Sequence, residues 1–151
     1  MKKKSIILIL AALILPLAGL AAQQPQTYSI LSFDIGYGPG YDLKNKEVIN
    51  LQNFGINVRV AGSLSVGAYY GEVSGSAVKM LKIKYEMTPE LRFMFGYGSG
   101  NLTSLGFEAA PFKRHISGLY SEFKLSPEYS FEPGNIGEGK LLFGLFVGIG
   151  F

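Results

Sequence analysis

From position 31 onward, large apolar residues alternate with small or polar ones. Leu31, Phe33, Ile35 and Tyr37 take one parity, and Ser32, Asp34, Gly36 and Gly38 the other. The pattern returns with Phe54, Ile56, Val58 and Val60 set against Gly55, Asn57, Arg59 and Ala61, then with Leu64, Val66, Ala68 and Tyr70 against Ser65, Gly67, Tyr69 and Gly71. Leu81, Ile83, Tyr85 and Met87 alternate with Lys82, Lys84 and Glu86, and Leu91, Phe93, Phe95 and Tyr97 with Arg92, Met94, Gly96 and Gly98. Leu105, Phe107 and Ala109 alternate with Gly106, Glu108 and Ala110. Leu119, Phe123 and Leu125, with Ser121 on the same side, alternate with Gly118, Tyr120, Glu122 and Lys124. A period of two marks strands with one apolar face, and no long helical period follows Ala22. With the run that closes the sequence, about eight strands are expected. The fold class is all-β, an antiparallel up-and-down barrel whose even strand count brings both ends of the meander to one side.

The closing run, "KLLFGLFVGIGF", shows the pattern most strongly. Leu141, Phe143, Leu145, Val147, Ile149 and Phe151 share one face; Leu142, Gly144, Phe146, Gly148 and Gly150 share the other. In water such a face would be an aggregation hazard, whereas a tilted strand of this length spans a bilayer. The large apolar residues are therefore expected to face lipid and the glycines a crowded lumen. If the first strand runs outward, the outer connections are Pro39–Asn53, Glu72–Ala77, Ser99–Thr103 and Ser126–Gly139. The inner ones are Gly62–Ser63, Thr88–Glu90 and Pro111–Ser117. Longer outer loops and mostly tight inner turns are the asymmetry of an outer-membrane barrel. Tyr37, Phe54, Tyr70, Tyr97, Phe107 and Phe143 fall near the outer strand ends, and Tyr85, Phe93 and Phe151 near the inner ones, as two interfacial girdles.

The N-terminal segment, "MKKKSIILILAALILPLAGLAA", places three lysines before an apolar run that ends in small residues. This is the layout of a cleavable signal peptide over 1–22, leaving a barrel domain over 23–151. The segment also changes the charge. The chain carries 14 Lys and Arg against 11 Asp and Glu, and without Lys2, Lys3 and Lys4 the balance is 11 against 11. The basic character thus belongs to the export signal and gives no indication of nucleic-acid binding. There is no cysteine, which excludes a lipoprotein anchor and a disulfide framework.

The signal-like segment, the eight alternating runs and the terminal "LFVGIGF" together resemble a small bacterial outer-membrane β-barrel of the OmpA/OmpX-like class. The resemblance spans essentially all of 23–151 and is architectural. It implies insertion into the outer membrane by the barrel-assembly machinery, which in that class reads an alternating last strand ending in phenylalanine. Here Phe143, Leu145, Val147, Ile149 and Phe151 would form that assembly signal. Members of the class differ in function.

Candidate chemistry lies mainly on the inward parity. Asp34, Glu86, Glu108 and Glu122 share it with Arg59, Lys82, Lys84, Arg92 and Lys124. Charges within an apolar shell must be paired or hydrated. A barrel of about eight strands is filled by its own side chains, so the expectation is a lumen plugged by salt bridges rather than an ion path. His115, Ile116 and Ser117 resemble the His-x-Ser motif of lipid A deacylases, with Glu122 or Glu128 as the acid. Their place in an inner turn, far from the outer leaflet, argues for a turn sequence without catalytic role. "GYGPGY" (Gly36–Tyr41) and "GYGSGN" (Gly96–Asn101) are not followed by a helix, as a phosphate loop requires. Glu108 and Glu122 as glycosidase carboxylates lack a cleft, and neither a metal-ligand spacing nor a cofactor motif occurs.

The expected protein is a monomeric outer-membrane barrel without enzymatic activity. Its partners would be outer-membrane lipids, the assembly machinery and an extracellular ligand held by the loops, with Pro39–Asn53 as the largest contact surface. The alternatives are a lipid-modifying enzyme of the deacylase type, and a soluble periplasmic barrel of the lipocalin kind that would turn its apolar face inward around a ligand.

Overall fold

A computed structural model describes residues 30–116 and 119–151. The segment read as an export signal, 1–22, and Ser117 of the His-x-Ser sequence lie outside the described residues. Eight strands follow in order: β1 (Leu31–Asp42), β2 (Glu47–Ala61), β3 (Leu64–Val73), β4 (Ser76–Thr88), β5 (Leu91–Gly98), β6 (Thr103–Ile116), β7 (Leu119–Phe131) and β8 (Lys140–Gly150). Each pairs antiparallel with its neighbour in sequence, and β1 closes on β8, so the barrel has no free edge.

At one end of the barrel, the proximal end, Ile30 N donates to Phe151 O at 2.9 Å and Phe151 N to Leu31 O at 3.0 Å. Among the described residues, the proximal turns are Gly62–Ser63 and Pro89–Glu90. The opposite, distal end carries the connections Leu43–Lys46, Ser74–Gly75, Ser99–Leu102 and Glu132–Gly139. Ser74 and Gly75 both have positive φ, 54° and 78°, as a two-residue hairpin turn with the sheet's own twist requires.

Several strands are longer than the alternation alone predicts. Pro39–Asn53, expected to be the largest loop, is mostly strand, because β1 continues to Asp42 and β2 begins at Glu47. The ladder from β1 to β8 lapses at Gly38 and Pro39, then resumes in the same register at Gly40↔Leu142. An edge-type proline is thereby accommodated within a closed wall. Gly38 permits the close approach, since a Cβ there would strike the Phe143 carbonyl. Ser126–Gly139 is also partly strand, with β7 running to Phe131.

Pro111–Ser117 was expected to be a turn, yet β6 runs through Pro111 to Ile116. A register shift between Ala109 and Phe112 absorbs the proline. Beyond it the facing inverts: Phe112 pairs with Phe123, Lys113 with Glu122 and His115 with Tyr120. His115 is therefore a strand residue. Phe107, expected at the outer girdle, pairs with Phe93 at a ring distance of 5.6 Å, so these two belong to one aromatic group.

Burial alternates along every strand whose pattern is described throughout. On β8, Leu141, Phe143, Leu145, Val147 and Ile149 are exposed on the outside, while Leu142, Gly144, Phe146, Gly148 and Gly150 are buried within. The Phe146 ring occupies the space that side chains at Gly36 and Gly144 would fill, and the Tyr69 ring does the same at Gly55. The inward glycines thus make room for a few large rings. Higher in the barrel, Ile49, Leu51, Val73, Leu142 and Phe146 form a buried apolar cluster joined by Val78.

Candidate functional site

The nine charged residues on the inward parity all line the lumen; eight are joined by ion pairs and hydrogen bonds into one network, and Lys82 stands beside it over the Tyr69 ring at 4.9 Å. Asp34 is the hub of the network, with no exposed surface. Its Oδ1 accepts from Lys124 Nζ at 2.6 Å, and its Oδ2 from Lys84 Nζ at 3.2 Å and Asn57 Nδ2 at 2.9 Å. The Tyr69 hydroxyl stands 2.9 Å from Asp34 Oδ2 and 2.5 Å from Asn57 Oδ1, with one proton to give. Glu108 accepts from Lys84 Nζ and Arg92 Nη1, each at 2.6 Å. Glu122 receives both Arg92 Nη atoms at 2.9 and 2.8 Å, Lys124 Nζ at 2.8 Å and the Tyr120 hydroxyl at 2.7 Å. Glu86 binds Arg59 Nη2 at 3.1 Å.

The strand register explains this arrangement. Arg92 lies directly between Glu86 on β4 and Glu108 on β6, so opposite signs meet across each ladder. Gly148 lies between Asp34 and Glu122 on β8. A Cβ there would come within 2.8 Å of Lys124 Cε and 2.9 Å of Asp34 Oδ1, so the glycine opens the path by which Lys124 reaches both acids. Buried charges are tolerated only when paired and hydrogen-bonded, and each of these is.

One essential member lies outside the expected strands: with Ser126–Gly139 as a loop, the inward parity holds four acids against five bases. On the longer β7, Glu128 is buried and its Oε2 lies 2.5 Å from Lys82 Nζ. Five acids then face five bases, and the lumen charge is balanced. Asn57, Tyr69 and Tyr120 were placed on the inward parity but not as members of the network. Their polar ends, at inward positions beside charged neighbours, were the available signal.

The residues considered for hydrolysis are separated by function and by place. Glu108 and Glu122 are both bound to Arg92. The His115 ring lies 4.7 Å from that of Tyr120, near the proximal end, while Glu128 lies on the distal side bound to Lys82. The glycines of the two Gly-rich runs serve the wall. Gly36, Gly38 and Gly40 lie in β1 and Gly96 and Gly98 in β5, leaving only Gly100 in a turn, at φ 73°. Phe143, Leu145, Val147 and Ile149 stand exposed on the outside of β8, and the Phe151 ring packs at 6.4 Å against Phe33.

Beyond the Lys82–Glu128 pair the lumen widens into a distal cavity of about 430 Å³. At the proximal mouth, around Ser32, Arg59 and Ser65, only about 40 Å³ is open. The distal rim is braced by Asp42, which accepts from the backbone amides of Lys44 and Asn45 at 2.9 and 3.0 Å and from Lys140 Nζ at 2.8 Å. The Lys140 bond is the chief reason its carboxyl titrates below the ordinary value. Leu43 N also donates to Gly139 O at 3.0 Å, tying the first and last distal connections together.

No protein-family model matches the chain, and no curated protein matches it. Among solved structures, it is similar to one described as "De novo design of transmembrane beta-barrels", at 18% identity and a TM-score of 0.45, over 83% of this chain and 99% of that one.

Proposed function

We propose that this chain is an outer-membrane barrel of a bacterial envelope, exported by its N-terminal segment and anchored with the distal connections outside the cell. Its role is structural or one of surface interaction, without catalysis. The observation that carries this reading is the sidedness of the wall. Charges and glycines occupy the inside, while exposed Ile35, Phe54, Val58, Leu81, Phe123 and Val147 occupy the outside. An apolar surface continuing around a barrel is unstable in water and suited to lipid.

The sidedness also changes with height. On β2, Phe54, Ile56, Val58 and Val60 face out, but nearer the distal end Asn50 and Gln52 face out while Ile49 and Leu51 are buried. This supports a lipid-facing band below Phe54 on β2 and a polar step above it, past which Val48 faces out again beside Tyr41 and Leu141. The lipocalin alternative would need an apolar interior at mid-height, where this barrel holds its ion pairs. The exposed face of β8, ending at Phe151, supports recognition by the barrel-assembly machinery, and the closed lumen supports a monomer with lipids as its principal surroundings. The distal connections are the surface left for an extracellular partner.

Heat-modifiable gel migration of the membrane fraction tests the reading. The expected result is a folded band that shifts on boiling and sediments with the outer membrane. Recovery of the folded chain in the soluble periplasmic fraction would overturn it.

A further inference from the structure

The distal cavity has the construction of a binding site. Its volume of about 430 Å³ falls in the range of small-molecule pockets. Part of its lining is apolar, made by Leu51, Val73, Val78 and Leu142, and the floor is closed by Tyr69 and the Lys82–Glu128 pair. Among the described residues, two polar atoms have no hydrogen-bond partner there, Ser130 Oγ and Asn53 Oδ1. Ser130 is 1% exposed, and a buried hydroxyl left unpaired carries a cost that a ligand would remove.

The charge around the cavity is one-sided. Asp42, Glu47, Glu128 and Glu132 line it against Lys82 and Lys140. Both lysines are already committed, Lys82 to Glu128 and Lys140 to Asp42. Glu47 and Glu132 are exposed at the rim and form no ion pair among the described residues. A carboxylate ligand would therefore meet repulsion with both lining lysines already engaged, whereas an ammonium group would meet two carboxylates outside any ion pair among the described residues.

We infer that the distal cavity binds a small cationic amphiphile, a primary ammonium carrying a short hydrocarbon tail. The tail lies against Leu51, Val73 and Leu142, and the ammonium lies on the polar side of the cavity, where Asn53 Oδ1 and Ser130 Oγ can accept from it and Glu47 and Glu132 supply the opposite charge. This rests on the membrane reading only for the side from which ligand arrives, because the cavity belongs to the folded barrel in any solvent.

The test is methyl NMR on the whole barrel in phosphatidylcholine nanodiscs, titrated with hexylammonium chloride and, separately, with sodium hexanoate. The expected result is a saturable shift of the Leu51, Val73 and Leu142 methyls with hexylammonium, and binding of hexanoate weaker by about tenfold. The double variant Glu47→Gln/Glu132→Gln, changed only at exposed positions, is expected to lose that preference while keeping the heat-modifiable band. Equal binding of the two ligands, absence of a saturable shift, or an undiminished preference in the double variant would each overturn the inference. Failure to enter nanodiscs would instead count against the membrane reading. The same titration on barrel refolded in detergent would then still decide the fate of the cavity proposal.

Discussion

Lys124 Nζ and Asp34 Oδ1 meet at 2.6 Å inside the barrel, although the residues are 90 positions apart and sit on β7 and β1, strands that do not pair. β8 runs between them, and Gly148 leaves the gap through which the ammonium passes. Lys124 also holds Glu122 at 2.8 Å, so one lysine ties together acids from both sides of the closing strand.

Removing that lysine leaves buried carboxylates short of a cation. Lys124→Met is expected to destabilise the barrel by about 3–5 kcal/mol. Adding Asp34→Asn to it should recover part of the loss, since the substituted carboxylate no longer needs neutralising. Urea unfolding in lipid vesicles measures both. A loss below about 1 kcal/mol for the single variant would show that Lys84 and Arg92 carry the network without it.

The same packing bears on permeation. Ion pairs at mid-height and the rings of Phe146 and Tyr69 fill the lumen. The purified protein is therefore expected to give no stable single-channel steps in a planar bilayer. Large, steady steps would show that the network opens.

The band can be probed on one face of one strand. Val58 and Gln52 both point outward on β2, Val58 within the apolar stretch and Gln52 distal to it. Val58→Arg should cost about 2–4 kcal/mol in a bilayer, and Gln52→Arg close to nothing. Equal costs in vesicle refolding would place both residues in the same medium and remove the band.

At the distal rim, the stabilisation from Asp42 depends on its charge. Its carboxyl titrates below the ordinary value of 3.8, chiefly through the bond from Lys140. A depressed carboxyl pKa gives a contribution that is complete above the unfolded value and is lost as pH falls through the folded one. Thermal stability of the wild type should therefore drop on acidification below about pH 4 by more than that of Asp42→Asn. Parallel pH profiles would show that the tie between the Leu43–Lys46 turn and β8 contributes nothing.

Phe151 has two proposed roles that can be separated. Phe151→Ala keeps the backbone bonds to Ile30 and Leu31 and loses the ring contact with Phe33. Refolding into detergent is expected to be close to normal, whereas insertion in cells is reduced and Phe151→Tyr retains much of it. Normal cellular insertion of the alanine variant would remove the assembly-signal role.

The sequence by itself determined the strand number, which parity faces in, and the membership of Asp34, Arg59, Lys82, Lys84, Glu86, Arg92, Glu108, Glu122 and Lys124 in one interior set. The strand number and the shared parity follow from a period of two, which is local; the choice of the inward parity rests on the aromatic girdles, the loop asymmetry and Phe151, because a period of two is the same seen from either face. Tertiary structure alone decided where the strands stop. Gly38, Pro39 and Pro111 look like breakers in sequence, yet a closed wall accommodates them by a lapse in one ladder and a bulge in another. That extension brought Glu128 inward and balanced the lumen, and the bulge turned His115 from a turn residue into a strand residue. The distal cavity was likewise invisible beforehand. It depends on the registers that set Leu51 opposite Val73 and Asp42 opposite Lys140, and such pairings are fixed only when the strands close on one another.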